Sequence, residues 1–403
     1  MSMQIRTASV IGGGIAGPVA AMALRRAGID ATVYEAYPSR AEGIGGTLAL
    51  APNGIAALEL VDAAEPVRER AVPLGRQRMV FGGRQVEIPQ LSGVEPLQVV
   101  HRSELYQVLH ERADAEGIRF EYGKRLVDAV DDRNTATALF ADGTSATADV
   151  LIGADGVHSA LRRIIDPNAP AADYTGLLGL EAVSDFEPDV EPGTLSFTFG
   201  KRAYYLYWRE PGGGTRWGIN LPRRNSMTSV DARSVPESEW IETLIGTYGA
   251  DEPGADLART VRPGSIQATG GLHIMPPVPH WHRGRMALVG DAVHAPSNSS
   301  GQGASLAIES AIQLARCLRD IDSVPAAFTA YERMRRPRVE GVAARATRIN
   351  YAKAPGPVAR VLMPVMMRLM LKTVMKPERT MGAEQRYRID WDSPVGSAAM
   401  QAR

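Results

Sequence analysis

Two periods of apolar and polar positions run along the 403-residue chain. Near the start, Ala8-Ser-Val-Ile11 is a short apolar run, Gly12-Gly-Gly-Ile-Ala-Gly17 interrupts it, and Val19 to Ala27 follows rich in apolar residues up to Gly28. Ala31-Thr-Val-Tyr34 is a second strand-like run, so the order predicts a βαβ unit whose helix stops at Gly28. Ser103 is placed to cap a helix reaching about Ala115, where Gly117 ends it and Ile118 to Tyr122 forms a short strand. Thr135 to Phe140, the Ala141-Asp-Gly-Thr144 turn and Ser145 to Asp149 predict a hairpin leading into Val150-Leu-Ile-Gly153.

From about Asp173 to Ile274 the texture changes to alternating strands such as Thr194 to Phe199 and Ala203 to Trp208, split by Pro211-Gly-Gly-Gly214. A second, antiparallel domain is expected there. Arg285-Met-Ala-Leu-Val-Gly290 returns to a buried strand, followed by a long helix from about Ala304 to Arg319, as though the chain re-enters the first domain. The fold class expected is α/β, a Rossmann-like domain interleaved with an antiparallel-sheet domain.

Composition narrows the function. Lys plus Arg and Asp plus Glu are 45 each, a zero net charge that argues against nucleic-acid or anionic-membrane partners. The single cysteine, Cys317, rules out an internal disulfide or a thiolate zinc cluster and suits a cytoplasmic setting. No secretory signal is expected, because a glycine-rich turn begins at Gly12. The Met-rich stretch Val361 to Leu371 is interrupted by Pro364 and Arg368, well short of the ~20 apolar residues of a membrane span. It reads as a late helix packed across the other domains, with an interfacial or dimer-forming helix as the alternative. Glycine, at 40 of 403, exceeds the usual ~7%.

Part of that surplus sits in motifs. Gly12, Gly14 and Gly17 form G-x-G-x-x-G between a strand and a helix, with Ile15 and Ala16 inside it, and Glu35 ends the next strand 18 residues past Gly17. Such a turn approaches a pyrophosphate, and such a carboxylate bonds a ribose hydroxyl. The pattern alone fits FAD or NAD. Asp155-Gly156 follows a strand, with Ser159 to Arg162 placed to open the next helix; a structural turn explains that pair as readily. Gly290-Asp291 ends a strand, and Gly301-Gln-Gly303 opens a helix whose free N–H groups favour an anionic ligand. Among the seven histidines no metal-binding spacing such as H-E-x-x-H occurs, and no G-x-S-x-G is present.

The order G-x-G-x-x-G, Asp155-Gly156, Gly290-Asp291 resembles the single-component FAD-dependent aromatic hydroxylases of the para-hydroxybenzoate hydroxylase type. The resemblance is spread over residues 8 to about 340. It implies a FAD-binding domain of residues 1–172 and 275–345, with 70–100 free to join a substrate domain of 173–274, and a C-terminal helical segment of 346–403. Carried over, the pattern implies that Gly12 to Gly17 face the pyrophosphate and that Glu35 holds the adenosine ribose. Asp291 would meet the ribitol and pyrophosphate region, Gly301 and Gly303 the isoalloxazine, and Arg102 would reach FAD, while Asp155 is linked to both FAD and the nicotinamide. Tyr331 to Arg338 resembles the family's late helix, although a solvated basic face explains it equally.

The resemblance further implies that NAD(P)H visits transiently and reduces FAD. Oxygen then forms a flavin C4a-hydroperoxide, which hydroxylates or epoxidises an aromatic or polycyclic small molecule, with no protein residue carrying the chemistry. His294 is accordingly expected to be structural. The loop His294-Ala-Pro-Ser-Asn-Ser-Ser-Gly301 departs from the pattern of two successive prolines found in many relatives, keeping only Pro296. Candidate substrate contacts are Tyr205, Tyr207, Asn220 and Pro296, with Trp217, His273 and Met275 weighed beside them. By period two, Tyr205 and Tyr207 share one sheet face, and Tyr204, Leu206 and Trp208 the other. Alternatives are a halogenase or isoprenoid reductase of the same superfamily, or a non-catalytic flavin- or ligand-binding protein. A homodimer is open.

Overall fold

The computed structural model describes residues 5–40, 45–351, 363, 366–371, 373 and 376–398. A six-stranded sheet forms the first layer, in the order His282–Arg283, Met286–Leu288, Val150–Gly153, Thr7–Ile11, Asp30–Tyr34 and Arg119–Glu121. All its pairs are parallel except the edge pair of His282–Arg283 with Met286–Leu288. Val10, fully buried, lies between Val33 and Ile152, so the central strand reads as a continuous apolar run, as parallel strands covered on both faces must.

The helix Ala16–Arg26 returns the chain from the first strand to the second and ends as expected at Gly28. Gly28 has φ +81, and the Ile29 N–H bonds the Leu24 carbonyl at 2.9 Å, closing the last turn. The helix Gly303–Asp320 packs against Ala16–Arg26 and Pro52–Glu59 and is buried on nearly every side. The predicted 135–149 hairpin is present as Ala136–Phe140 paired with Ser145–Ala148, with Leu126–Asp131 as a third strand. Ser103 corrects one expectation. The helix starts at Arg102 and runs to Ala115, and the Ser103 hydroxyl bonds His101 Nδ1 at 2.6 Å in place of capping.

A seven-stranded sheet holds the second core, in the order Gln267–Ile274, Asp173–Ser184, Thr215–Pro222, Tyr204–Arg209, Thr194–Phe199, Arg76–Phe81 and Arg84–Ile88. Its last two strands, Arg76–Phe81 and Arg84–Ile88, come from earlier in the chain. It is mixed, not purely antiparallel, because Arg76–Phe81 enters from an earlier stretch of chain and pairs in parallel with Thr194–Phe199. One face carries Tyr205, Tyr207, Trp217, Ile219 and Leu180 against Trp240, Leu244 and Tyr248 of the helix Glu237–Tyr248.

The C-terminal stretch packs on the first core and on the other face of the seven-stranded sheet. Trp391 lies between the guanidiniums of Arg26 and Arg319, 5.0 and 4.8 Å from its ring centre. Of the Met-rich stretch, residues 361, 362, 364 and 365 lie outside the described residues. Met363, Met367 and Leu371 pack on Phe81, Val86, Phe199 and Tyr204. Among the described residues, no helix is long and apolar enough to cross a membrane.

Candidate functional site

The three glycines of the turn do different work. Gly12 has φ +104, which disfavours any side chain, and a Cβ there would strike the Ala154 backbone. A Cβ on Gly17 would be driven into the Gly12 carbonyl oxygen, so this glycine lets helix and strand close together. Gly14 has neither constraint; the nearest atom to its Cβ position is the Tyr106 hydroxyl, 3.8 Å away. Its backbone therefore fronts open space. Ile15 precedes the helix Ala16–Arg26 without a side-chain cap, leaving first-turn N–H groups for an anion. Glu35 Oε2 accepts the Gly13 N–H at 2.6 Å and Oε1 accepts the Tyr37 N–H at 2.9 Å, so the carboxylate also braces the turn.

Gly290 and Asp291 follow the strand Met286–Leu288 in a 3-10 turn, Gly290–Ala292. A Cβ on Gly290 would lie 3.0 Å from Ala16 and 3.1 Å from Ala307, which puts Asp291 at the junction of two helix starts. The Asp291 carboxylate makes no hydrogen bond or ion pair among the described residues. Burial pushes its pKa up and Arg102 opposes that rise. Arg102 is exposed, its N–H bonds the Gly46 carbonyl at 3.1 Å, and its guanidinium sits 5.8 Å from the Tyr106 ring centre. Gly12–Gly17, Arg102 and Asp291, far apart in sequence, thus converge.

The helix Gly303–Asp320 completes the group. Gly301 and Gly303 have nothing within 4 Å of a Cβ position. Behind them, His294 Nε2 bonds Ser310 Oγ at 2.8 Å, and burial lowers its pKa to about 3, in line with a structural role. Ala295 is tied by its carbonyl to the Met275 N–H at 2.9 Å, and Asn298 Nδ2 donates to Asn220 Oδ1 at 3.3 Å, so Asn220 and the loop carrying Pro296 meet.

Asp155 has a local task. Its Oδ2 accepts the Ala160 and Leu161 N–H groups at 2.7 and 3.1 Å, while Ser159 Oγ accepts the Arg162 N–H at 2.9 Å, capping the helix Ala160–Ile165. Its Oδ1 is buried without a partner, and burial pushes its pKa up.

Tyr205 and Tyr207 need correction. Both are buried, on the sheet face packed against helices, with Tyr205 5.1 Å from the Tyr248 ring and its hydroxyl accepting the Gly254 N–H at 3.0 Å. Trp217 shares that core. Alternation sorted them onto a common face correctly, but that face holds the core, and Asn220 points the other way. The 331–338 segment is likewise no solvated face. Arg335 pairs with Glu309 at 2.7 Å, both fully buried, and Arg338 Nε and Nη2 donate to the same carboxylate at 2.8 Å each.

Sequence reasoning missed Glu309, Asn53 and Gln302, which surround the start of the long helix. The available signal was a lone acid in the otherwise apolar Leu306-Ala-Ile-Glu-Ser-Ala-Ile312. It also missed Glu181, whose carboxylate accepts the Thr47 N–H at 2.6 Å, the Thr47 hydroxyl at 2.8 Å and Arg216 at 2.7 Å, tying the segment after Gly45 to the large sheet.

Comparison with known proteins identifies the family. The family described as FAD binding domain matches residues 5–203 and 276–346. The 3-amino-4-hydroxybenzoate 2-monooxygenase of Streptomyces cremeus is 32% identical over 361 residues, covering 85% of this chain and 86% of the relative. A chloroplastic zeaxanthin epoxidase of Oryza sativa is 29% identical over 339 residues; the match covers 76% of this chain and about half, 48%, of that relative. The solved structure of HpxO from Klebsiella pneumoniae, complexed with FAD and uric acid, superposes with a TM-score of 0.77 at 26% identity, covering 90% of this chain and 92% of that one. The chain belongs to the FAD binding domain family, in the class of FAD-dependent monooxygenases. Its residues fit the cofactor: an unpartnered Asp291, an exposed Arg102 and open backbone at Gly14, Gly301 and Gly303.

Proposed function

We propose that the chain is an NAD(P)H-consuming monooxygenase that hydroxylates or epoxidises an aromatic or polycyclic small molecule. The supporting observation is the convergence of Gly14, Arg102 and the helix start at Gly303 around the unpaired carboxylate of Asp291. FAD, when bound, accepts hydride and activates oxygen. The protein supplies binding and placement. Gly12 to Gly17 and Arg102 hold phosphate oxygens, Glu35 and Asp291 accept hydroxyl donors, and the N–H groups at Gly303 favour negative charge on the ring. Residues 1–172 with 275–345 form the cofactor half in this proposal, and 173–274 the substrate half. Asn220 and Pro296 remain as substrate contacts, where they help to exclude water.

NAD(P)H as a transient donor rests on the family resemblance and on the lack of a second convincing dinucleotide turn in the sequence. A cytoplasmic location is part of the same proposal; the buried Cys317 thiol, pushed up to about 12 by burial, needs no partner. The test is a small-molecule panel scored by stimulated NAD(P)H oxidation and product mass. A gain of about 16 mass units establishes oxygen insertion. Purified protein that stays colourless and takes up no FAD overturns the proposal, and FAD binding without any stimulated turnover favours a ligand-binding protein.

A further inference from the structure

The start of the helix Gly303–Asp320 is held from behind by side chains that the function above does not use. Asn53, 1% exposed, is the second residue of the helix Pro52–Glu59, and it faces Gln302, the residue that precedes the long helix. Their carboxamides pair in both directions. Asn53 Nδ2 donates to Gln302 Oε1 at 2.9 Å, and Gln302 Nε2 donates to Asn53 Oδ1 at 3.3 Å. Asn53 Nδ2 also donates to Glu309 Oε1 at 2.7 Å. Glu309, one turn and a half into the helix, is itself locked by Arg335 and Arg338.

Backbone contacts bring the two helices to the same point. The Ala51 N–H donates to Ser305 Oγ at 3.1 Å, and a Cβ on Gly54 would strike Ser305. The start of the long helix, whose first-turn N–H groups lack helical partners, is therefore pressed against the start of Pro52–Glu59 with one amide pair between them. A buried polar network in which the donors and acceptors are matched admits few geometries, so the pair fixes how residue 302, and the backbone on either side of it, is oriented. That backbone is Gly301 to Gly303, where no Cβ contact limits the approach of a ligand.

We infer that Asn53 is a positioning residue for FAD, acting through Gln302 to aim the Gly301–Gly303 backbone at the cofactor, with Glu309 holding Asn53 in place. The inference rests on the reading that this backbone faces FAD. Asn53→Ala removes both arms of the amide pair and Gln302→Ala removes the same pair from the cofactor side. Each variant is titrated with FAD, and three quantities are compared with the wild type: the dissociation constant, the visible absorption of the bound flavin, and the rise in melting temperature that FAD causes.

The expected result is FAD binding weakened about fivefold, because the freed Gly301–Gly303 backbone must be re-ordered when FAD binds, together with displaced flavin absorption maxima and a smaller FAD-induced rise. A merely structural role lowers the melting temperature of FAD-free and FAD-loaded protein alike and leaves the bound-flavin spectrum unmoved; that result overturns the inference. Should Asn53→Ala fail to fold, Gln302→Ala decides by the same criteria. Wild-type protein that takes up no FAD overturns the functional reading and this inference together, whereas wild-type loading with unaltered spectra in the variants overturns the inference alone.

Discussion

Arg335 and Glu309 form an ion pair of 2.7 Å in which neither side chain is exposed at all. Burial acts to raise the Glu309 pKa, but Arg335 and Arg338 outweigh it and hold the carboxyl below its ordinary value. Arg335→Met leaves the buried carboxylate with Arg338 as its remaining charged partner, and the expected cost is about 1–3 kcal/mol. The exposed pair Arg70–Glu111, with side chains 33% and 47% exposed, gives the contrast: Arg70→Ala costs less than about 1 kcal/mol. Urea unfolding of both variants checks the ordering, and equal small losses refute it.

The glycine turn separates folding from cofactor binding. Gly17→Ala places a methyl against the Gly12 carbonyl oxygen, and the expected loss is at least about 1–3 kcal/mol, with or without FAD. Gly14→Ala meets nothing closer than 3.8 Å, so FAD-free protein should retain its stability to within about 0.5 kcal/mol. Its methyl occupies the space through which a pyrophosphate approaches, and FAD occupancy should fall. Thermal melts of FAD-free protein beside flavin absorbance of the purified variants test the contrast. Full occupancy in Gly14→Ala would remove Gly14 from the site.

What the chain declares about itself follows the range of the forces involved. The βαβ unit was legible because its signals are local: an apolar strand, a glycine turn, a helix of fixed period and Gly28 at a positive φ. Ser159 as a helix cap was legible for the same reason. Tyr205 and Tyr207 were not, since alternation reports which residues share a face but not which face receives the helices that follow at 229–259. The Glu309 hub was hidden for another reason. Its partners lie 26 and 29 positions away on a second helix, and arginines on a helix read as solvated until packing brings an acid to them. Asp155 stands between these cases, a motif residue whose contacts are those of a helix cap.

Asp291 should trade stability for binding. Its folded pKa lies above the ordinary carboxylate value because of burial, so its contribution to FAD-free stability is fully present below the unfolded pKa and is lost as pH rises through the folded one. Asp291→Asn cannot ionise. The FAD-free variant is therefore expected to be more stable than wild type at pH 7, with the difference vanishing in acid. Its FAD binding should be weaker by about tenfold or more, the loss of a hydrogen bond to a charged acceptor. Melting temperatures from pH 4 to 8 and an FAD titration check both halves, and a variant that is less stable at pH 7 yet binds FAD normally contradicts the placement of this carboxylate.

His294 makes the opposite pH prediction. Burial, assisted by Arg335, lowers its pKa to about 3, while the unfolded chain titrates near 6.5. The folded state thus refuses a proton that the unfolded state accepts. Stability from this residue is present above about pH 6.5 and is lost as pH falls toward 3, with a slope of up to about 1.4 kcal/mol per pH unit. Around the ring lie Ser310, which bonds Nε2 at 2.8 Å, the Trp281 ring at 5.8 Å, and the Arg335–Glu309 pair, while Nδ1 is buried with no partner. His294→Asn removes the titration. The variant is expected to be less stable than wild type at pH 8, because the Ser310 contact is disturbed, and to lose less stability on acidification. Urea unfolding at pH 8, 6 and 5 reads this as converging curves. Parallel curves would mean that His294 binds its proton equally well in the folded and unfolded chain, which its burial beside Arg335 forbids.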